Sequence, residues 1–172
     1  MARDPIMDPS GLARAAERLA SLIPGYSGYK SRERLREEDR AVRDAVTRSL
    51  GIAMGRLERA LENCIRSLPP SDVEEADGIL RALGRHRDRI RFAPAGYASL
   101  FSRRRIQTPE LQHLLTLDAG LWSVLEELDR VASEWDEASR NGETEWPGAK
   151  LKDTVIELEE ILDERESYLR SS

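Results

Sequence analysis

Glu110-Leu111-Gln112-His113 is a Glu-x-x-His pair, the helical spacing at which four-helix di-iron proteins present a carboxylate and an imidazole to one centre. That chemistry needs a second such pair and two further glutamates. The other histidine, His86, has Leu83 three residues before it, so the second pair is missing. Glu110 also follows Thr108-Pro109, where an acid has a simpler use in the first turn of a helix. A zinc site fails on inventory, with one cysteine and two histidines in 172 residues. Cys64 has no base beside it and neither histidine lies in a triad motif; a lone thiol on an apolar helix face serves as a small hydrophobe. Asp118 is the best candidate for a buried carboxylate, because it interrupts an apolar seam between Leu114 and Leu121. It fits a structural aspartate bonded to an arginine of another helix, or else an acid of raised pKa. No constellation is complete, so neither an enzyme nor a cofactor is expected.

The elements that would position these residues are helical. Ala, Leu, Glu and Arg dominate, β-branched residues are scarce, and 34% of residues are charged against 5% aromatic. Asp8 and Pro9 read as the N-cap and first residue of a short helix ending at Ile23, with Leu12, Ala15, Ala16, Leu19, Leu22 and Ile23 on one face. The longest element is expected over Ser31–Leu68, between Pro24-Gly25 and Pro69-Pro70. Its apolar positions from Val42 (Val46, Leu50, Ala53, Leu57, Leu61, Cys64, Leu68) step by fours and threes in an 11-residue rhythm, which predicts a nearly straight or slightly right-handed course. Ala45, Ile52, Ala60 and Ile65 are expected to widen that stripe. The run before Val42 alternates arginine with Glu33, Glu37, Glu38 and Asp39, and reads as a solvated helix end supported by i,i+4 pairs. Gly51 and Gly55 form a Gly-x-x-x-Gly in mid-helix, expected to mark close packing of another helix, with a kink as the alternative.

A third helix starts near Ser71 with a capping-box pattern and runs to Arg91 or Phe92. A fourth starts at Thr108-Pro109 and stops at Asn141-Gly142, and a fifth follows Trp146-Pro147-Gly148. On the last, Leu151, Val155, Leu158, Leu162 and Leu169 keep a strict seam that Arg165 interrupts, so the seam is expected to fade there. The fold expected is all-α: an elongated up-down helical bundle of four long helices plus a short N-terminal helix, in a single domain.

Ile23-Pro24-Gly25-Tyr26-Ser27-Gly28-Tyr29-Lys30 is the least generic stretch, a packed elbow or a partner-contacting loop. With the charged run Ser31–Arg40 it resembles an N-terminal segment of uncharacterised prokaryotic helical proteins. The resemblance covers about a quarter of the chain, and implies no activity and no site residue. Tyr26, Tyr29, Lys30, Arg32 and Arg36 are the candidate partner contacts of this end.

Charge is segregated along the chain. Residues 1–109 hold 21 Lys and Arg against 15 Asp and Glu, and residues 110–172 hold 6 against 17, within a net charge of −5. A basic pole is expected around Arg85, Arg87, Arg91, Arg103, Arg104 and Arg105. Opposite poles either satisfy one another within the bundle or pair between subunits, and the second reading points to a protein partner or a homo-oligomer. An anionic membrane surface met by the 8–23 helix and the arginines is the alternative. Nucleic-acid phosphates come after it, given a pI near 5.3 and no recognised nucleic-acid fold. No apolar run approaches ~18 residues, and Met1-Ala2-Arg3-Asp4-Pro5 lacks a leader's apolar core, so cytoplasmic residence is the expectation. The leading functional reading is a non-enzymatic interaction or scaffold protein.

Overall fold

The structure, a computed structural model, describes residues 9–28, 35–93, 108–143 and 145–171. Among the described residues there are five helices and no strand: α1 (Pro9–Leu22), α2 (Leu35–Cys64), α3 (Pro70–Phe92), α4 (Thr108–Arg140) and α5 (Gly148–Ser171). They pack against one another as an all-α bundle. Two compact units divide them. The first is Met1–Ala45, Ala93–Ser123 and Ile161–Ser172, and takes α1 with the first parts of α2 and α4 and the last part of α5. The second, Val46–Phe92 and Val124–Glu160, takes the remainder of α2 and α4, all of α3 and the start of α5. Each therefore draws on four helical segments, enough to close every apolar stripe on a neighbour.

The stripe of α2 is buried at Val42, Val46, Leu50, Ala53, Leu57 and Cys64, continuing to Leu68 beyond the helix end, with Leu61 half-buried. Ala45 and Ala60 widen it as expected. Ile52 and Ile65 do not: they are 55% and 50% exposed, and Met54 is buried instead. Each helical residue turns about 100° from the last, which carries Ile52 off the flank that Ala53 occupies. The Gly-x-x-x-Gly expectation is also corrected. A methyl at Gly51 would meet nothing within 4 Å, and one at Gly55 only the Arg59 guanidinium of the same helix at 3.6 Å, among the described residues. Neither marks a close helix approach.

The helix ends follow local chemistry. α2 stops at Cys64, whose carbonyl accepts from the Ser67 and Leu68 N–H groups at 2.8 and 3.0 Å. The Pro69 carbonyl then accepts from Asp72 and Val73 at 3.0 and 3.2 Å, so α3 begins on Pro70, a residue that has no N–H to leave unpaired. Its buried seam is Ala76, Ile79, Leu83, His86 and Ile90, which gives His86 a core position inside the end of the helix expected to be basic. α4 stops where Gly142 adopts φ +83° and Glu143 N–H returns to the Ala138 carbonyl at 3.0 Å, the left-handed close of a helix that glycine makes cheaply. At the start of α5 a different constraint acts. Trp146 Nε1 donates to Glu75 Oε1 at 3.1 Å, Lys152 Nζ to Glu75 Oε2 at 2.7 Å, and the Trp146 ring meets Trp135 edge-on at 4.8 Å. A methyl at Gly148 would collide with the Glu75 carboxylate and the Trp146 ring, so this is the glycine that packing demands.

Candidate functional site

Three seam positions on three helices are polar, and they meet in the first unit. Asp39 of α2 lies three residues before Val42 and so continues the α2 stripe towards the N-terminus; Asp118 is on the α4 seam and Arg165 on the α5 seam. Arg165 Nε donates to Asp118 Oδ1 at 2.8 Å and its Nη2 to Asp39 Oδ1 at 2.9 Å. The second Asp39 oxygen lies 2.8 Å from Arg43 Nε, and Arg43 Nη1 donates to the Ala93 carbonyl at 2.9 Å. Glu38 accepts from the Ser27 hydroxyl. Glu38 and Asp39 are 0% and 1% exposed, so this part of α2 is not the solvated, charged helix end that the run of alternating charges predicts. Carboxylates this deep persist only because guanidinium and hydroxyl groups replace their water.

The elbow after α1 closes over this cluster. Gly25 and Gly28 take φ of +86° and +79°, and a methyl on Gly28 would press within 3.3 Å of Ala16 Cβ. That sharp path turns Tyr26 inward. At 5% exposure the ring is core rather than partner contact, which corrects its expected role. Burial pushes the Tyr26 phenol above its ordinary value, the Asp118 and Glu38 carboxylates add to the rise, and Arg165 works against it.

Chemically, the cluster is a fork of one guanidinium between two carboxylates, held by a second arginine. The Arg165 guanidinium joins acceptors on two other helices, an arrangement that suits fixing helix register. Asp118 thus has the structural role expected of it, with the arginine partner supplied by α5. Arg165 does not end its seam. It fills the seam as a polar layer.

The other sequence candidates are dispersed. Arg36 is exposed on the first turn of α2, and Tyr29, Lys30, Arg32, Arg103, Arg104 and Arg105 lie outside the described residues. His113 is half-buried, 3.7 Å from Glu164 and tilted on Tyr168 at 4.4 Å between ring centres. Among the described residues no group of three or more His, Cys, Asp and Glu is arranged to hold a metal ion, and no helix is long and apolar enough to cross a membrane. Cys64 Sγ donates to the Glu143 carbonyl at 3.5 Å, and burial pushes its thiol up, away from the thiolate that reactivity requires.

In the second unit most charges lie on the surface, Asp136 excepted, and exposed charges of both signs share α3. On α3, Arg81 and Arg85 are exposed, Arg87 is half-buried beside Asp88, and Arg91 is exposed with its guanidinium 5.4 Å from the centre of the Phe92 ring. On α5, Asp153, Glu157, Glu159 and Glu160 are all exposed. Sequence reasoning missed one more buried acid, Asp136. Burial opposes its charge, but hydrogen bonds from Arg140 and Arg59 win and hold the carboxyl below its usual range. Asp39 had a readable signal, because the α2 stripe stepped back by three from Val42 lands on it. Asp136 had only its place beside Trp135 on the α4 seam.

Compared with known proteins, the chain matches no family model, no curated protein sequence and no solved structure.

Proposed function

We propose that this chain is a non-enzymatic interaction module whose work is done by helical surfaces. The observation that supports it is the exposed charge of the second unit, set against the internally bonded acids of the first. The buried acids Asp39 and Asp118 are bonded to Arg165, whereas α3 presents Arg81, Arg85 and Arg91 among exposed Glu74, Asp77 and Asp88, and the start of α5 presents mainly carboxylates. Surface charge speeds and orients encounter with a complementary partner. The apolar face of α1 supports this choice over a membrane adaptor, because Leu12, Leu19 and Ile23 are buried and so are not available to a bilayer.

The test is capture from host lysate at low salt, using the full chain and a bait carrying Arg81→Glu and Arg85→Glu. A protein retained in stoichiometric amount by the first bait and lost with the second is the expected result. Equal retention by both baits, or nothing retained by a chain that is also monomeric, overturns the proposal.

A further inference from the structure

We propose that Asn141–Gly142, at the close of α4, is a self-modification site, where the chain converts its own asparagine to aspartate and isoaspartate and thereby uncovers Cys64. The site is independent of the interaction surfaces and lies wholly within the second unit.

Asparagine is a thermolabile residue, and here the two reacting groups are neighbours. The Gly142 backbone nitrogen attacks the carbonyl carbon of the Asn141 side chain. A new N–C bond forms, and the side-chain nitrogen leaves as ammonia with the proton that the glycine nitrogen gives up through solvent. Water then opens the cyclic imide at one carbonyl or the other, leaving isoaspartate or aspartate. The net change consumes one water and releases one ammonia.

Exposure and space favour the reaction. Asn141, Gly142 and Glu143 are all exposed, so water reaches the site. Gly142 has no side chain to hinder its nitrogen, and even a methyl there would meet nothing within 4 Å, so the ring closes without a collision. One contact opposes it, because the Gly142 N–H donates to the Ser139 carbonyl at 3.2 Å and must let go before the nitrogen attacks. Fraying of the α4 end therefore sets the rate. The competing positions are held more firmly. The other asparagine, Asn63, precedes Cys64 within α2, and Asp77–Gly78 lies within α3, so the helix ladder keeps the following N–H in each case.

The same turn covers the end of α2. The Glu143 carbonyl accepts from Cys64 Sγ at 3.5 Å, Ser139 Oγ accepts from Asn63 Nδ2 at 3.1 Å, and Cys64 is 1% exposed. Asn141 and Glu143 both donate their N–H groups to the Ala138 carbonyl at 3.0 Å. Isoaspartate lengthens the main chain by one carbon, which takes the N–H groups of 142 and 143 out of register with the Ser139 and Ala138 carbonyls. Aspartate instead adds a negative charge at the C-terminal end of α4, where the helix dipole disfavours it. Both products loosen the turn that carries the Glu143 carbonyl, and with it the cover over Cys64.

Ageing the full chain under native conditions in mildly alkaline buffer tests the site, read by peptide mapping and by enzymatic methylation of isoaspartate. The wild type is expected to accumulate isoaspartate and aspartate at position 141, several-fold more slowly than the same chain unfolded in guanidinium chloride, with Asn63 and Asp77 unchanged. Cys64, titrated with a disulfide reagent, is expected to react several-fold faster in the aged chain than in the fresh one. Asn141→Gln keeps the amide but sets its carbonyl one carbon farther from the nitrogen, and is expected to age without either change. A fresh Asn141→Gln chain whose Cys64 reacts as slowly as in fresh wild type shows that the variant folds. A folded wild type that stays unmodified while the unfolded chain converts overturns the site, and conversion at the unfolded rate overturns the control by the α4 end. Conversion with no change at Cys64, or a faster Cys64 in aged Asn141→Gln, overturns the link to the thiol.

Discussion

Arg165 holds two carboxylates that have no water to turn to, so its removal takes the shared guanidinium from both. Arg165→Met is expected to lower unfolding free energy by about 3–5 kcal/mol, read from urea denaturation. The double variant Arg165→Met/Asp118→Leu leaves Asp39 with Arg43 and is expected to regain at least half of that loss, because an apolar pair of similar volume fills the layer without a desolvation cost. Asp136 sets a dependence on acid. Its carboxyl titrates lower in the folded chain than its ordinary value of 3.8, so its contribution is complete above that value and is lost as pH falls through the folded pKa. The urea midpoint should therefore drop on acidification below about pH 4, and Asp136→Asn should flatten the slope in that window. Arg59 and Arg140 are more than half exposed, which keeps the effect modest.

At the scale of elements, helix spacing and punctuation were legible from residue types. The α2 rhythm, the proline starts of α1, α3 and α4 and the glycine stop at Gly142 all follow from local chemistry that one segment carries by itself. The polar layer was half legible. Asp118 stood out because leucines surround it, whereas Asp39 lay among neighbours of both signs and read as surface. Its partner Arg165 is 126 residues away, and no local pattern shows which distant helix supplies a counter-charge. The glycines show the same limit, since a Gly-x-x-x-Gly looks alike whether or not a helix crosses it. Gly51→Ala and Gly55→Ala should each stabilise by about 0.5–1 kcal/mol, because the added methyls meet open space or ordinary contact in mid-helix. Gly148→Ala should instead cost about 1–3 kcal/mol by overpacking against Trp146. Thermal melts of the three variants decide both signs.

At the scale of the whole molecule, the first unit is discontinuous in sequence and takes α1 into its core. Leu12, Leu19, Ile23 and Tyr26 are all buried. Burial of each large apolar side chain is worth about 1.5–3 kcal/mol, and domains are stable by only about 5–15 kcal/mol. Deleting residues 1–28 should therefore abolish amide-exchange protection together in 35–45, 108–123 and 161–169, while helices of 46–92 and 124–160 keep more of theirs. Flotation of the full chain with anionic vesicles should find it unbound, because α1 cannot leave that core without the same loss. Flotation with the vesicles would contradict the burial of α1.

The fork at Arg165 also sets a timetable. A ribosome emits Asp39 and Asp118 long before the arginine that joins them, so two of the fork's three members wait in the growing chain for the third. Until α5 emerges, water must solvate those carboxylates, and the segments around them cannot close into their final core. Completion of the first unit thus waits for the emergence of α5. A chain interrupted after Glu160 would hold every residue of the second unit, yet lack the one cation that the first unit's acids on α2 and α4 share.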